Sequence, residues 1–213
     1  SGDARTVVDD VAETALDTFV HRGGGHLFWW VDDADDADRS FAARHGLEPV
    51  RGLHEMRRPL PHEQQASVET RDFVPGVDDD AWLRVNNRAF AGHGEQGGWT
   101  RDVLALRTVE PWFDPTGFRL HEVDGRLAAF CWTKLHHELD PVVGEIYVIA
   151  VDPDYHGRGL GKQLTLAGLD SITERGVTEA NLYVDAANAA AVGLYDALGF
   201  SIHRSRQAFA AEL

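Results

Sequence analysis

Val151–Leu164 reads VDPDYHGRGLGKQL, and the fold of the chain turns on this stretch. Before it stands Glu145–Val151 (EIYVIAV), rich in β-branched and aromatic residues, which predicts a strand. After it, Leu160, Leu164, Ala167, Leu169 and Ile172 recur at roughly helical spacing as far as about Gly176, which predicts a helix. A strand therefore enters a short loop, and the loop opens a helix. In that loop Gly157, Gly159 and Gly161 alternate with His156, Arg158 and Leu160. Glycines let backbone N–H groups converge on one point and let a ligand come close. The positive end of the helix dipole faces the same point, and Arg158 and Lys162 add formal charge. Together these features predict a cradle for a pyrophosphate. The plainer reading is a glycine-rich turn that caps a helix. A Walker A loop is excluded, because Lys162 is followed by Gln163 rather than Ser or Thr. A Rossmann fingerprint is excluded by the spacing of the glycines.

Composition narrows the field. The chain has 213 residues, 43% of them apolar, enough for one large or two small domains. Its net charge is −15, with 35 acidic residues against 20 basic ones, which argues against nucleic acid or an anionic membrane as partner. In so acidic a chain the basic cluster at 156–162 stands out. The single cysteine, Cys131, allows no internal disulfide and fits a reducing, cytoplasmic setting. No apolar run is long enough to span a bilayer. The acidic start, SGDARTVVDD, has no apolar h-region, so no signal peptide is expected. It also lacks an initiating Met, so either upstream residues are expected to have been removed or Ser1-Gly2 is a cloning remnant.

Periodicity and punctuation divide the rest. Ala4–His21 predicts a helix ended by Gly23-Gly24-Gly25, His26–Val31 a strand, Asp38–His45 a helix and Val50–Arg58 a strand. The run Asp32–Asp38 (DDADDAD) lacks the glycine and closing Glu of a calcium loop and reads as a solvated helix N-terminus. Residues 60–67 form a linker. Beyond it come strand Val68–Phe73, helix Asp78–Ala91, a loop at Gly92–Trp99 and helix Thr100–Thr108 capped by Thr100. Strands Phe118–Val123 and Arg126–Leu135 make a hairpin around Asp124-Gly125. After the central stretch follow strand Ala180–Val184, helix Asn188–Leu198 and strand Ile202–Phe209. A shift of 153 residues lays Arg5 on Arg158, Gly23 on Gly176, Gly46 on Gly199 and Leu47 on Phe200, an internal repeat.

The sequence Arg158-Gly-Leu-Gly after Val-Asp-Pro resembles the Q/R-x-x-G-x-G/A coenzyme A loop of the GCN5-related N-acetyltransferases, the GNAT family, with His156 at the usual Gln/Arg position. From Val68 onward the order β-α-α-β-β-β-α-β-α-β is that of a complete GNAT domain. The resemblance implies an α/β fold with a mixed central sheet splayed between its fourth and fifth strands. On the repeat, residues 1–59 form a partial, degenerate GNAT half, and residues 68–213 the catalytic domain. In the first copy Thr6 and Val8 replace Gly159 and Gly161, and Ala42 replaces Tyr195, so it has lost its cradle.

Acetyl transfer to an amine needs a held cofactor, a neutral amine, a stabilised oxyanion and a protonated leaving thiolate. Glu145 opens the strand that leads to the loop and is the candidate base; the bland alternative is a strand-edge carboxylate. Tyr195, with an ordinary pKa of about 10 against about 8.5 for a thiol, is the candidate acid; the alternative is a core aromatic. Asn188 is a natural N-cap. Cys131 reads as an inert core thiol. His136 and His137 read as surface residues, and no metal is expected.

A longer series, NNRAF, EQGGW, PWFDP, WTKLH, GEIYVIAVDP, GRGLG, LYVD and NAAAVGLYDALGF, is similar to the two-domain members of the family that acetylate a cysteinyl amine. That resemblance implies acetyl-CoA as donor and a cysteine–glucosamine–inositol conjugate as acceptor. A monomer is expected. It implies acceptor contacts at Glu95, Lys134, Glu145 and Tyr183. It implies cofactor contacts at Ile149, Ala150 and Val151, at His156, Gly157, Arg158, Gly159, Leu160, Gly161 and Lys162, and at Asn188, Ala189, Ala190, Ala191, Val192 and Gly193. The front strands of the first half are missing from the match. Two rivals stay open: a GNAT enzyme for another amine or a protein N-terminus, and a non-catalytic acyl-CoA-binding module.

Overall fold

The structure is a computed structural model that describes residues 2–94 and 96–213, with residues 2–9 described by their backbone alone. The chain forms two compact units. The first comprises Ser1–Glu55, Val184–Val192 and Ile202–Leu213; the second comprises Met56–Tyr183 and Gly193–Ser201.

The elements run α1 (Gly2–His21), β1 (His26–Asp32), α2 (Asp36–Arg44), β2 (Glu48–Pro59), β3 (Arg71–Asp72), α3 (Asp79–Ala89), α4 (Arg101–Thr108), β4 (Phe118–Val123), β5 (Arg126–His136), β6 (Val143–Val151), α5 (Leu160–Glu174), β7 (Glu179–Asp185), α6 (Ala189–Ala197) and β8 (Ser201–Glu212). From β3 onward this is the predicted order. No helix among the described residues is long and apolar enough to cross a membrane.

In the first unit β8 lies between β1 and β2, and β1 pairs with it antiparallel from His26–Glu212 to Asp32–Arg206. Phe41, Ala42, Leu47 and Phe209 form its core, with Leu16 of α1 and Trp29 packed against them. The acidic run ahead of α2 is a cap. Asp35 accepts from the N–H groups of Ala37 and Asp38, and Asp38 accepts in return from the Asp35 N–H, which satisfies donors the helix leaves unpaired. Asp32 pairs with Arg204 and Arg206.

The second unit holds the strand order β7-β6-β5-β4-β3. The β4–β5 turn is Asp124-Gly125, both at positive φ (51° and 71°), the geometry whose twist suits a two-residue hairpin. Helix α5 crosses over between β6 and β7, which therefore pair in parallel. The strand expected at Val68–Phe73 shrinks to Arg71–Asp72. Upstream of it, Arg119 donates to the Thr70 carbonyl and hydroxyl, and the His121 ring nitrogen meets the Glu69 carbonyl. Side chains there take the place of ladder partners.

Two layers cover this sheet. On one face Trp82 of α3 is fully buried among Trp99, Phe118, Phe130 and Trp132, while Phe73, Phe118 and Trp132 stack with centroids 4.4 Å apart at each step. On the other face lies α5, with Leu164, Leu169 and Ile172 buried. Gly168 sets its approach: a Cβ there would meet Cys131 Sγ at 2.5 Å and Ile146 Cδ1 at 2.8 Å. Gly168→Val is therefore expected to overpack this seam, lowering stability by about 1–3 kcal/mol in denaturant titration. An unchanged midpoint would show that α5 can retreat.

Candidate active site

Glu145 lies near the start of β6, in register with Lys134 on β5 and Asn181 on β7. Register partners on neighbouring strands share a face, so these three side chains sit on one side of the sheet. Two residues on, the β5–β6 register shifts between Trp132 and Thr133, which leaves Tyr147 as an extra residue in β6. Bulges of this kind turn side chains at functional sites. Tyr147 packs edge-on against Trp112 (5.2 Å) and Trp132 (5.4 Å), and burial raises its pKa. Lys134 Nζ stands 5.0 Å from the Trp112 ring centroid, a cation–π placement.

Glu145 is buried but partnered. Its Oε2 lies 2.7 Å from His136 Nε2, and His136 Nδ1 lies 2.8 Å from Glu138 Oε1. A carboxylate at each ring nitrogen favours the imidazolium, so the His136 pKa is raised, chiefly by the bond to Glu145. The expectation that His136 is a surface residue is corrected: only 17% of its side chain is exposed, and it orients the candidate base. His137 is exposed as expected. Tyr183, two residues beyond Asn181 on the same face of β7, is 46% exposed, while Leu182 and Val184 are buried on the other side. Glu95 lies outside the described residues. The loop residues after it are held by the Asn86-Asn87 pair. Asn86 Nδ2 donates to the Gln96 carbonyl (2.7 Å), Asn87 Nδ2 to the Trp99 carbonyl (2.8 Å), and the Trp99 N–H to Asn87 Oδ1 (2.9 Å).

At the other end of β6 the chain makes a 3-10 turn at Pro153–Tyr155 and enters the glycine loop. Gly157 (φ 76°) and Gly159 (φ 74°) are left-handed, and a Cβ on either would meet nothing within 4 Å. Gly159 is the N-cap of the 15-residue α5 and carries no side chain to satisfy the first N–H groups. His156, Arg158 and Lys162 are exposed around this point, while the Leu160 side chain is buried and anchors the helix. Arg158 lies 5.0 Å from the Tyr155 ring centroid, and His156 Nε2 is 3.1 Å from the Val151 carbonyl oxygen. Arg88 of α3 ties the loop's base by pairing with Asp154 (2.8 Å) and Asp152 (3.4 Å). An open, basic helix start with backbone donors fits a phosphate-bearing cofactor.

Tyr195 is buried on α6, edge-on to Phe200 at 5.9 Å. Burial first, then the neighbouring Cys131, pushes its pKa up to about 12. The Cys131 thiol is itself pushed up to about 12 by burial, consistent with an inert core group. Leu194 Cδ2 would lie 3.6 Å from a Cβ on Gly161, so the Gly193–Tyr195 segment adjoins the glycine loop. Asn188, Ala189, Ala190, Ala191 and Val192 belong to the first unit, where Asn188 Oδ1 accepts from the Ala191 N–H (3.1 Å) and caps α6 as expected. The second unit thus gathers Glu145, Lys134 and Tyr183 on one face, and Ile149, Ala150 and Val151 with the glycine loop at the end of the same strand. No cluster of His, Cys, Asp and Glu suited to a metal occurs among the described residues.

The model of the acetyltransferase (GNAT) family matches residues 81–200. The mycothiol acetyltransferase of Thermobispora bispora is 48% identical over 194 residues, covering 87% of this chain and 66% of that protein. The mycothiol acetyltransferase of Streptomyces coelicolor is 44% identical, covering 92% of this chain and 71% of that one. The chain spans about two thirds of the length of these relatives. Among solved structures, a GCN5-related N-acetyltransferase from Sphaerobacter thermophilus matches with a TM-score of 0.73 at 22% identity, over 88% of this chain and 59% of that one. A tandem GNAT protein from the clavulanic acid biosynthesis pathway matches with a TM-score of 0.60 at 17% identity, over 98% of this chain and 69% of that one. The chain belongs to the acetyltransferase (GNAT) family.

Proposed function

We propose that the second unit transfers an acetyl group from acetyl-CoA to the cysteinyl amine of a cysteine–glucosamine–inositol conjugate, giving mycothiol. One observation carries the reading: a buried carboxylate, Glu145, oriented by His136 and flanked by Lys134, at the head of the strand that ends in an open glycine cradle. The likeness to mycothiol acetyltransferases supports the acceptor.

Acetyl-CoA supplies an activated acyl carbon. The chain's own groups do the rest. Arg158, Lys162 and the first N–H groups of α5 hold the pyrophosphate; Ile149–Val151 and Gly193 line the arm. Glu145 takes a proton from the amine. Lys134 and Tyr183 bind the acceptor with Glu95. Tyr195 Oη holds its proton tightly. Handing that proton to a thiolate of pKa about 8.5 climbs about 5 kcal/mol, given a tyrosine value of about 12. In place of the full proton transfer expected of Tyr195, the hydroxyl stabilises the leaving sulfur by donating a hydrogen bond, and the thiolate takes its proton from solvent on release.

The β6–β7 pairing covers Gly144–Ile146 with Ala180–Leu182, ahead of Ile149–Val151; this supports a splay between the strands that admits the cofactor. A partial first GNAT copy is supported by matched elements. β1, α2 and β2 repeat as β7, α6 and β8, with every bound 153 residues later (26 to 179, 44 to 197, 59 to 212).

Turnover on a panel of amines, read by mass spectrometry with acetyl-CoA, tests the substrate. Acetylation of the conjugate well ahead of simple amines and peptide N-termini is expected; equal turnover on all of them, or cofactor binding without transfer, contradicts the reading. Gly159→Val tests the cradle. A β-branched residue is strained at φ 74° and blocks the approach. Acetyl-CoA binding by calorimetry is expected to weaken about ten- to a hundredfold, the worth of a charge-assisted hydrogen bond. Unchanged binding would refute the cradle.

A further inference from the structure

Asn181 has no part in the roles assigned above. It is 4% exposed, and its Oδ1 is buried with no hydrogen-bond donor among the described residues. Buried polar atoms are ordinarily paired, so this one calls for a partner. Its position says where the partner comes from. Asn181 is the register mate of Glu145, on an adjacent strand roughly 5 Å away. Ala180, Leu182 and Val184 alternate into the core on the opposite face, so Asn181 shares the Glu145 face with Tyr183.

We infer that Asn181 is an acceptor-binding residue that selects primary amines. The inference rests on the proposed amine acetylation. A neutral primary amine has two N–H bonds and one lone pair. With one N–H on Glu145 Oε1 or Oε2 and the other on Asn181 Oδ1, the lone pair is left directed at the acyl carbon. A carboxamide oxygen accepts a hydrogen bond but takes no proton at neutral pH. Glu145 therefore remains the sole base, and Asn181 fixes how the nitrogen presents itself. A secondary amine has a single N–H and cannot satisfy both groups.

The test compares the conjugate with its N-methyl form on the cysteinyl nitrogen, using the parent and Asn181→Leu. Leucine has nearly the same size and removes the unpaired oxygen. The acceptor KM is expected to rise about ten- to a hundredfold, and the preference for primary over N-methyl amine to fall by a similar factor. Acetyl-CoA affinity stays at the parent value, and the melting temperature holds or rises because a buried unpaired group has gone. Asn181→Ser, which is smaller and cannot overpack, is expected to show the same loss of preference should the leucine variant fail to fold. An unchanged KM and an unchanged preference in a folded variant overturn the inference and make Asn181 a buried polar residue only. Should the parent prefer a different amine, the substrate proposal fails, and the same primary-to-N-methyl comparison on that amine decides for Asn181. No turnover with any amine overturns both.

Discussion

Glu145→Gln is expected to slow acetylation of the acceptor by about 10²–10⁴-fold at saturating acetyl-CoA, the range for losing a general base. Glutamine keeps the shape and can still meet His136, so the loss isolates proton acceptance. The proposed acceptor is an α-amine with an ordinary pKa of about 7.7–8.0, and it deprotonates unaided as pH rises. The deficit should therefore shrink toward alkaline pH. A deficit that stays constant would assign Glu145 to holding the acceptor instead. The same variant reports on the histidine. The folded His136 pKa lies above its unfolded value, chiefly because of Glu145. A raised pKa contributes stability that is fully present below the unfolded value of about 6.5 and is lost as pH climbs through the folded value. The gap in melting temperature between parent and Glu145→Gln should thus be widest below about pH 6.5 and narrow above it. A gap independent of pH would mean the pair adds nothing to folding.

Trp132→Ala is expected to cost about 3–5 kcal/mol of stability, read from chemical denaturation. Trp132 is fully buried, stacks on Phe118 at 4.4 Å and 7°, and meets Trp82, Trp112, Phe113 and Tyr147. No neighbour can refill that volume. Trp132 supports Tyr147 directly and, through Trp112, the ring under Lys134, so the folded remainder should also bind the acceptor less well. A cost under about 1 kcal/mol would mean that the aromatic cluster collapses onto the gap.

Local signals were the readable ones. Asp124-Gly125 announces its hairpin, Thr100 its helix, and the alternating glycines the strand–loop–helix unit, because each depends on a few adjacent residues. Glu145 and Tyr195 stand out as candidates only through the family resemblance; locally they read as a strand-edge carboxylate and a core aromatic. The rest of the site arises from pairing at a distance. Asn181 stands beside Glu145 only because β7 returns beside β6 after α5. His136 reaches Glu145 across the β5–β6 register. The bulge that frees Tyr147 depends on a register shift that no local pattern encodes. NNRAF and EQGGW are separate words in the sequence; that Asn86 and Asn87 bind the second one needs the loop closed back on α3. The strand expected at Val68–Phe73 is longer than the observed Arg71–Asp72 because Arg119 and His121 engage the backbone of Thr70 and Glu69, which sequence alternation does not reveal.

The most direct test follows the acetyl group to its nitrogen. Acetyl-CoA and the cysteine–glucosamine–inositol conjugate are incubated with the parent and with Glu145→Gln, and the product is mapped by tandem mass spectrometry. The expected product carries acetyl on the cysteinyl nitrogen, formed quickly by the parent and slowly by the variant. Acetyl on the thiol or a sugar hydroxyl, or equal rates for the two proteins, would contradict Glu145-assisted transfer to an amine.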